Sequence, residues 1–171
     1  MSDAEASVIR EARRDWVTEH REKYLRSGGV EGHIEDLTPV NGRTFGTHLL
    51  LKYQGRKSGK TFITPLSYAD IGGEVVIVGS KGGADTHPEW YLNVIASPDI
   101  EFQIGTQAFR ATWREPVGPE RDKVWAFMVD CHPFYGDYQG WTTRQLPLVM
   151  MLRQEEIPVF KESDATGMRS Y

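Results

Sequence analysis

Between residues 47 and 116, short apolar segments follow one another with turns of only a few residues between them. The turns QGRKSGK and Ile71-Gly72-Gly73 are rich in glycine and polar residues, which is typical of hairpin connections. Links this short cannot make the crossover that parallel strands require, so the pattern predicts antiparallel pairing. The six predicted strands are 47–53, 62–70, 74–81, 99–104, 107–116 and 146–153.

Three segments have helical patterns. Residues 1–29 begin with Ser2 and Glu5 at the spacing of a capping box and end at Gly28-Gly29. Its apolar residues lie roughly on one face: Val8, Ile9, Ala12, Trp16 and Leu25. The other two predicted helices are 87–97 and 119–131.

These elements predict an α+β fold that is mainly β: a six-stranded antiparallel β-barrel, closed or split, with helices packed outside it. The predicted division is an N-terminal helix (1–29), a barrel domain (30–153) and a polar C-terminal tail (154–171) that is either a return loop or disordered.

Composition excludes several classes of function. The chain of 171 residues has a formal charge of −4 and a sequence pI of about 5.7, which argues against general binding of nucleic acid. One cysteine, Cys131, cannot form an internal disulfide, so a cytoplasmic location is expected. The first 29 residues are too charged for a secretory signal, and no apolar run is long enough to cross a bilayer.

The first turn concentrates positive charge in an acidic chain, with Lys52, Arg56, Lys57 and Lys60 within nine positions. Gly55 and Gly59 are separated by three residues, whereas a Walker A motif needs four and a following helix. Two interpretations stay open here. The turn is a solvated hairpin tip, or its glycine-rich backbone and arginine hold an anion.

Two later stretches combine small, polar and aromatic residues. In GSKGGADTHPEWYLN (79–93), glycines at a strand end would let a planar ligand approach the backbone. In DCHPFYGDYQGWTTRQLP (130–147), aromatic side chains suit a substrate pocket or a partly buried structural loop. Neither the five histidines nor the cysteine have metal-ligand spacing, so no metal site is predicted.

Taken in order, these stretches resemble the deazaflavin (coenzyme F420)-dependent nitroreductase and quinone reductase family of actinobacteria. The matching elements are GRKSG followed by Thr64-Pro65-Leu66, then GSKGG with HPEWYLN, then YxxYQ with TxR before the last strand. The resemblance covers about residues 47–150. It implies a split β-barrel related to FMN-binding proteins, and hydride transfer from reduced F420 to quinones, nitroaromatics or activated enones.

The resemblance also implies a set of site residues. The cofactor's phosphate and carboxylates would be held by the basic turn, and its ring by the strand ends. The implied cofactor-binding residues are Lys52, Arg56, Lys57, Ser58, Thr64, Pro65, Gly79, Ser80, Lys81, Gly82 and Trp90, with Lys60 as a further candidate. The implied catalytic residues are Tyr135, Tyr138 and Ser80, and the implied acceptor pocket comprises Trp16, His132, Tyr135 and Tyr138.

One position departs from the family pattern: His132 stands where a third evenly spaced tyrosine is common. A histidine titrates near neutral pH, so His132 competes with the phenols for the role of acid. An FMN-dependent oxidoreductase and a non-catalytic deazaflavin-binding protein also stay open as interpretations of the chain. The expected partner is a small-molecule acceptor. A homodimer, and peripheral membrane contact through the N-terminal helix, stay open too.

Overall fold

The computed structural model describes residues 2–40 and 42–167, apart from the side chains of residues 3, 5–14 and 40. Its four α-helices are α1 (Asp3–Arg26), α2 (Glu89–Val94), α3 (Gly118–Cys131) and α4 (Phe134–Gly140). Its strands are β1 (Ile34–Glu35), β2 (Gly46–Gln54), β3 (Thr61–Ser67), β4 (Ala69–Ile71), β5 (Glu74–Val78), β6 (Asp99–Ile104), β7 (Gln107–Arg114) and β8 (Leu148–Ile157).

The strands form one sheet in the order β1-β2-β6-β7-β8-β5-β4, with β3 also paired to β2. Every one of these pairings is antiparallel, as the short turns predict. The predicted class, α+β with mainly β structure, is therefore confirmed. Within the described residues the pairing path has two ends, so the sheet is open and not a closed barrel.

The predicted count of six strands was wrong, because the sheet has eight. The segment 62–70 is two strands separated at Tyr68, since β3 pairs with β2 whereas β4 pairs with β5. A short apolar run carries no signal for such a change of partner. The other strand that was not predicted is β1. It is two residues long and lies in a segment predicted to be irregular.

Strand β2 is buried on both faces, which explains its run of three leucines. Leu49 and Leu51 belong to a core cluster that also contains Trp90 of α2. Leu50 points the other way and packs with Tyr24 and Leu25 of α1. This strand therefore stands between the two helices and fixes their positions relative to the basic turn that follows it.

A third core cluster joins the ends of β5 and β8 to α4. Val78 and Leu148 pack there with Phe134, Tyr135 and Tyr138. Helix α4 was not predicted, since residues 130–147 had the turn-rich composition of a loop. Because Tyr135 and Tyr138 are three residues apart on this helix, their side chains lie on the same face, and both are buried.

The two ends of the chain differ from the predicted boundaries. Helix α1 ends at Arg26, close to the predicted stop, and Trp16 and Leu25 are at least half-buried. The predicted side-chain face at Val8, Ile9 and Ala12, and the capping partner Glu5, lie outside the described side chains. Strand β8 continues past residue 153 to Ile157, and Phe160 beyond it is buried.

The segment after β8 returns to the sheet as far as it is described. The amide nitrogens of Thr166 and Gly167 both donate to the carbonyl oxygen of Thr61 at 2.9 Å. Residues 168–171 of the predicted tail lie outside the described residues.

Candidate active site

A cavity of about 250 Å³ lies between β3, the end of β5 and the helices α1, α2 and α4. We call it the aromatic cavity. It is lined by eight of the residues singled out from the sequence: Trp16, Thr64, Pro65, Ser80, Lys81, Trp90, Tyr135 and Tyr138. Residues that are as far apart in sequence as Trp16 and Tyr138 therefore line the same cavity. Their positions in the sequence do not reveal this proximity.

A second cavity of about 150 Å³ lies at the basic turn, and we call it the hairpin cavity. Its lining includes Arg56, Lys57 and Ser58, together with Phe62 and Asn93. Tyr53 and Glu89 line both cavities, so the two adjoin. Neither of these two residues was among the predicted site residues.

The guanidinium of Arg56 is held by polar groups of α2. Its Nη1 donates to Asn93 Oδ1 at 2.8 Å and to Glu89 Oε2 at 2.9 Å. The Arg56 backbone nitrogen also donates to Asn93 Oδ1, at 3.0 Å. The hydrogen bond from Arg56 holds the pKa of the Glu89 carboxyl below its usual value. The arginine is thus ordered and aimed at the hairpin cavity, but with an anionic side chain beside it.

The structure does not bring Lys52 together with the other predicted cofactor residues. Side chains alternate along a strand, so Lys52 faces away from its neighbour Tyr53, which lines both cavities. Its Nζ lies 2.7 Å from Glu101 Oε2 and 5.1 Å from the ring centre of Phe160. Lys60 is exposed and belongs to neither cavity lining.

The loop that follows β5 places Ser80 and Lys81 in the cavity wall, whereas Gly79 and Gly82 are not part of the lining. A Cβ at Gly79 would come within 2.6 Å of Pro147 Cγ, and one at Gly83 within 2.7 Å of the Tyr138 carbonyl oxygen. Packing within the protein therefore accounts for glycine at positions 79 and 83, and the cofactor-binding role expected of Gly79 stays a prediction.

Arg144 of the TxR motif holds this loop in place. Its Nε donates to the Ala84 carbonyl at 2.6 Å, its Nη1 to Gly79 at 3.0 Å and its Nη2 to Ser80 at 2.7 Å. Lys81, next along the loop, has a φ of +46°, which is strained for a residue with a side chain. The three hydrogen bonds from one guanidinium stabilise this conformation and so position two cavity residues.

Tyr135 and Tyr138 of α4 are both buried, at 4% and 8% exposure. Burial is the main reason that the pKa of the Tyr135 phenol is raised, and the neighbouring Tyr138 adds to the rise. Tyr135 is therefore a neutral phenol at physiological pH, able to donate a hydrogen bond into the cavity.

His132 is placed behind this wall and does not line the aromatic cavity. Its Nε2 is 2.8 Å from the Tyr68 carbonyl oxygen, and its ring contacts that of Tyr135. Burial lowers its pKa, so the imidazole is neutral near pH 7. The structure thus supports a packing position for His132 and gives no support to its prediction as an acceptor-pocket acid.

Several residues of the aromatic cavity were missed by the sequence analysis, among them His48 and Ser67. The two are directly opposite each other in the β2–β3 pairing. The available signal was strand alternation and register: Ser67 is two residues after Pro65 on β3 and so shares its face, and His48 is the strand partner of Ser67. Among the described residues, no group of three or more His, Cys, Asp or Glu side chains could hold a metal ion.

No helix within the ranges 2–40 and 42–167 is both long enough and apolar enough to span a bilayer.

Comparison with known proteins gives one consistent family. A family model described as F420H(2)-dependent quinone reductase matches residues 16–153. A protein of Mycobacterium tuberculosis named as a putative F420H(2)-dependent quinone reductase is 35% identical over 109 residues, which is 60% of this chain and 87% of that protein. A second M. tuberculosis protein, named F420H(2)-dependent quinone reductase, is also 35% identical over 109 residues, covering 62% of this chain and 73% of that one.

Two solved structures are similar in both sequence and fold. One, described as an F420-H2 dependent reductase, is 37% identical with a TM-score of 0.57, over 61% of this chain and 92% of that chain. The other, described as a domain-swapped dimer, is 33% identical with a TM-score of 0.59, over 81% of this chain and 98% of that chain.

Proposed function

The chain belongs to the F420H(2)-dependent quinone reductase family, and from that membership we propose that the aromatic and hairpin cavities together form its active site. It is an oxidoreductase that transfers a hydride from reduced coenzyme F420 to quinones. The observation that carries the assignment of the site is that the two cavities adjoin through Tyr53 and Glu89.

The residues present fit such a cofactor at both ends. A flat ring requires an apolar slot, and Pro65, Val78 and Trp90 supply apolar surface in the aromatic cavity. A phosphate requires an ordered guanidinium and nearby donors, and Arg56, Lys57 and Ser58 line the hairpin cavity. Glu89 brings an anionic group to both linings, and it already pairs with Arg56.

When bound, the reduced cofactor would supply the hydride. The protein would supply orientation and a site from which water is excluded. Thr64, Pro65, Ser80 and Lys81 would border the ring, with Trp90 packed against it. Arg56, Lys57 and Ser58 would hold the phosphate, and Lys52 is left out because it pairs with Glu101 on another face.

The acceptor would lie beside α4, where Tyr135, Tyr138 and Trp16 form one side of the aromatic cavity. A quinone oxygen gains negative charge as hydride arrives, and a buried hydroxyl donor stabilises that charge. Tyr135 is the first candidate for this donor, with Tyr138 and Ser80 as the others. Nitroaromatics and activated enones also develop negative oxygen on reduction, so we extend the proposal to them as acceptors.

The finer fold assignment, an FMN-binding-like split barrel, is part of the proposal. It is supported by the antiparallel eight-stranded sheet with helices on it. A homodimer is proposed on the similarity to the structure described as a domain-swapped dimer. The division at residues 29 and 153, the cytoplasmic location and peripheral membrane contact stay predictions.

Titration of the purified protein with reduced F420 and with FMN, followed by fluorescence, tests the site. We expect binding of reduced F420 and its oxidation when menadione is added. Arg56→Ala should weaken that binding, and the matched variant Lys52→Ala should not. Binding of FMN alone, or equal losses in both variants, would contradict the proposed site.

A further inference from the structure

The ring of Phe62 lines the hairpin cavity and is enclosed by a glycine at each of its two edges. At one edge, a Cβ at Gly55 would come within 2.9 Å of Phe62 Cε2. At the other, a Cβ at Gly167 would come within 2.4 Å of Cε1 and 2.5 Å of Cζ. Because Cε1 and Cε2 lie on opposite sides of the ring, Phe62 stands between the basic turn and the C-terminal segment (158–167).

The face of the same ring lies against Tyr53. The two residues are directly opposite each other in the β2–β3 pairing, and their ring centres are 5.7 Å apart with planes 16° from parallel. Tyr53 lines both cavities, and Gly55 lines the hairpin cavity. Since close-packed groups transmit a displacement to their neighbours, movement of the Phe62 ring would change the shape of the site.

The C-terminal segment is anchored on both sides of its short helical turn. Phe160 is buried in the core at its beginning. Near its end, the Thr61 backbone nitrogen donates to Thr166 Oγ1 at 2.9 Å. The backbone nitrogens of Thr166 and Gly167 both donate to the carbonyl oxygen of Thr61, also at 2.9 Å. Three hydrogen bonds to the residue that precedes Phe62 therefore hold Gly167 against the ring.

Packing against Phe62, and not backbone conformation, accounts for glycine at position 167. Its φ is outside the left-handed region that favours glycine. All three of the heavy atoms nearest to an added Cβ belong to the Phe62 ring. A side chain at position 167 would push the ring toward Gly55 and Ser58, because the three hydrogen bonds oppose movement of the segment away from it.

We propose that Phe62 is a positioning residue of the active site, and that through its contact with Gly167 the C-terminal segment sets the width of the hairpin cavity. No described residue of that segment is part of either cavity lining, so the segment acts on the site only through the ring. The inference rests on the proposed function, in which this cavity holds the phosphate of the cofactor.

The proposed phosphate ligands belong to the turn that the ring supports. Arg56, Lys57 and Ser58 follow Gly55 directly, and all four line the hairpin cavity. Hydrogen bonds from such donors to a phosphate are short and directional, so a small displacement of the turn weakens them. Hydride transfer belongs to the aromatic cavity, and the effect should therefore fall on cofactor binding more than on the rate at saturation.

The coupling can be measured in the 171-residue chain without cofactor. In ¹⁵N-labelled protein, we expect Gly167→Ala to shift the amide resonances of Gly55 and Ser58, since the neighbouring aromatic ring moves relative to them. Gly140→Ala is the matched control, because Gly140 is exposed and a Cβ there would meet nothing within 4 Å. Unshifted resonances of Gly55 and Ser58 in Gly167→Ala would overturn the proposal.

Binding and kinetics separate this positioning role from a general loss of structure. We expect Gly167→Ala to raise the dissociation constant of reduced F420, and its KM, about tenfold, the scale of one overpacked contact. The kcat with menadione at saturating reduced F420 should be nearly unchanged. Phe62→Leu in the Gly167→Ala background should restore much of the lost affinity, because the smaller side chain leaves room for the added methyl group.

Wild-type affinity in Gly167→Ala, or a double variant that binds no better than Gly167→Ala, would overturn the proposal in favour of a purely structural C-terminal segment. A fall in kcat with unchanged KM would overturn it too. Failure of the wild-type protein to bind reduced F420 would instead contradict the proposed function. The amide shifts would still decide in that case whether the Phe62 ring couples the segment to the basic turn.

Discussion

Arg56 Nη1 lies 2.9 Å from Glu89 Oε2, and this ion pair stands where the aromatic and hairpin cavities meet. An anionic cofactor would have to share the guanidinium with the carboxylate or displace it. Glu89→Gln should therefore tighten binding of reduced F420, because it removes a negative charge beside the bound phosphate.

Arg56→Ala should weaken binding by about 2 kcal/mol, the scale of a lost charge-assisted hydrogen bond. Fluorescence titration of both variants measures the two dissociation constants.

The control for this pair is Asn93→Asp, which leaves Arg56 anchored but adds a second negative charge and should weaken binding. The Glu89→Gln effect should also shrink in added salt, since charges near the surface are screened. Tighter binding in Asn93→Asp would show that the hairpin cavity does not hold an anion.

Tyr135→Phe tests the proposed donor directly. The substitution removes only the hydroxyl from a buried ring, so packing within α4 is largely retained. We expect kcat with menadione to fall about 100-fold, the lower end of what a positioned acid contributes. Binding of reduced F420 should be nearly unchanged, as measured by fluorescence.

Tyr138→Phe serves as the comparison, because Tyr138 is also buried on the same helix. A larger loss in Tyr138→Phe than in Tyr135→Phe would move the donor role to Tyr138. Wild-type rates in both variants would leave the tyrosines with packing roles only.

The sequence predicted much of the fold and of the site because local patterns carry that information. Alternating and apolar segments predicted the strands, and short turns predicted their antiparallel pairing. The motif order predicted that Ser80, Lys81 and Tyr135 lie together, and all three line the aromatic cavity. What could not be predicted depends on the pairing of distant segments. Lys52 faces away from the site through strand alternation, and Tyr68 divides one predicted strand into two with different partners.

Arg144, the arginine of the TxR element, binds three backbone carbonyl groups. Its guanidinium donates to the carbonyl oxygens of Gly79, Ser80 and Ala84, and no other type of side chain has this planar fork. Arg144→Lys keeps the charge but cannot reach three carbonyls at once, so we expect about 3 kcal/mol less stability toward unfolding. Urea unfolding, monitored by tryptophan fluorescence, measures this change in the free energy of unfolding.

An exposed arginine provides the reference for that loss. Arg110 pairs with Glu155 at 3.3 Å and is 43% exposed, so Arg110→Lys should change stability by about 0.5 kcal/mol or less. A similar small change in Arg144→Lys would mean that the loop holds its conformation without the fork. Activity should fall with Arg144→Lys as well, because Ser80 and Lys81 lose their anchor.

The buried histidines make stability depend on pH in a defined direction. Burial is the main reason that the pKa values of His20, His48 and His132 are lowered in the folded protein. His48 is also disfavoured as a cation by the neighbouring His20, His132 and His33. Below the unfolded value of about 6.5, the unfolded chain binds protons that the folded protein does not, so unfolding becomes easier as pH falls.

Each histidine that stays neutral contributes a slope of up to about 1.4 kcal/mol per pH unit below pH 6.5, and the slope ends at its folded pKa. Lowered carboxyl pKa values, such as that of Glu89, remove stability only at more acidic pH, below about 4.5. The free energy of unfolding should therefore be flat from pH 8 to 7 and fall between about pH 6.5 and 5. His132→Gln removes one proton-binding site from the unfolded chain. It should therefore reduce the slope by the amount that one histidine contributes. A slope unchanged by His132→Gln would mean that this imidazole becomes protonated in the folded state, contrary to its burial beside the Tyr68 carbonyl.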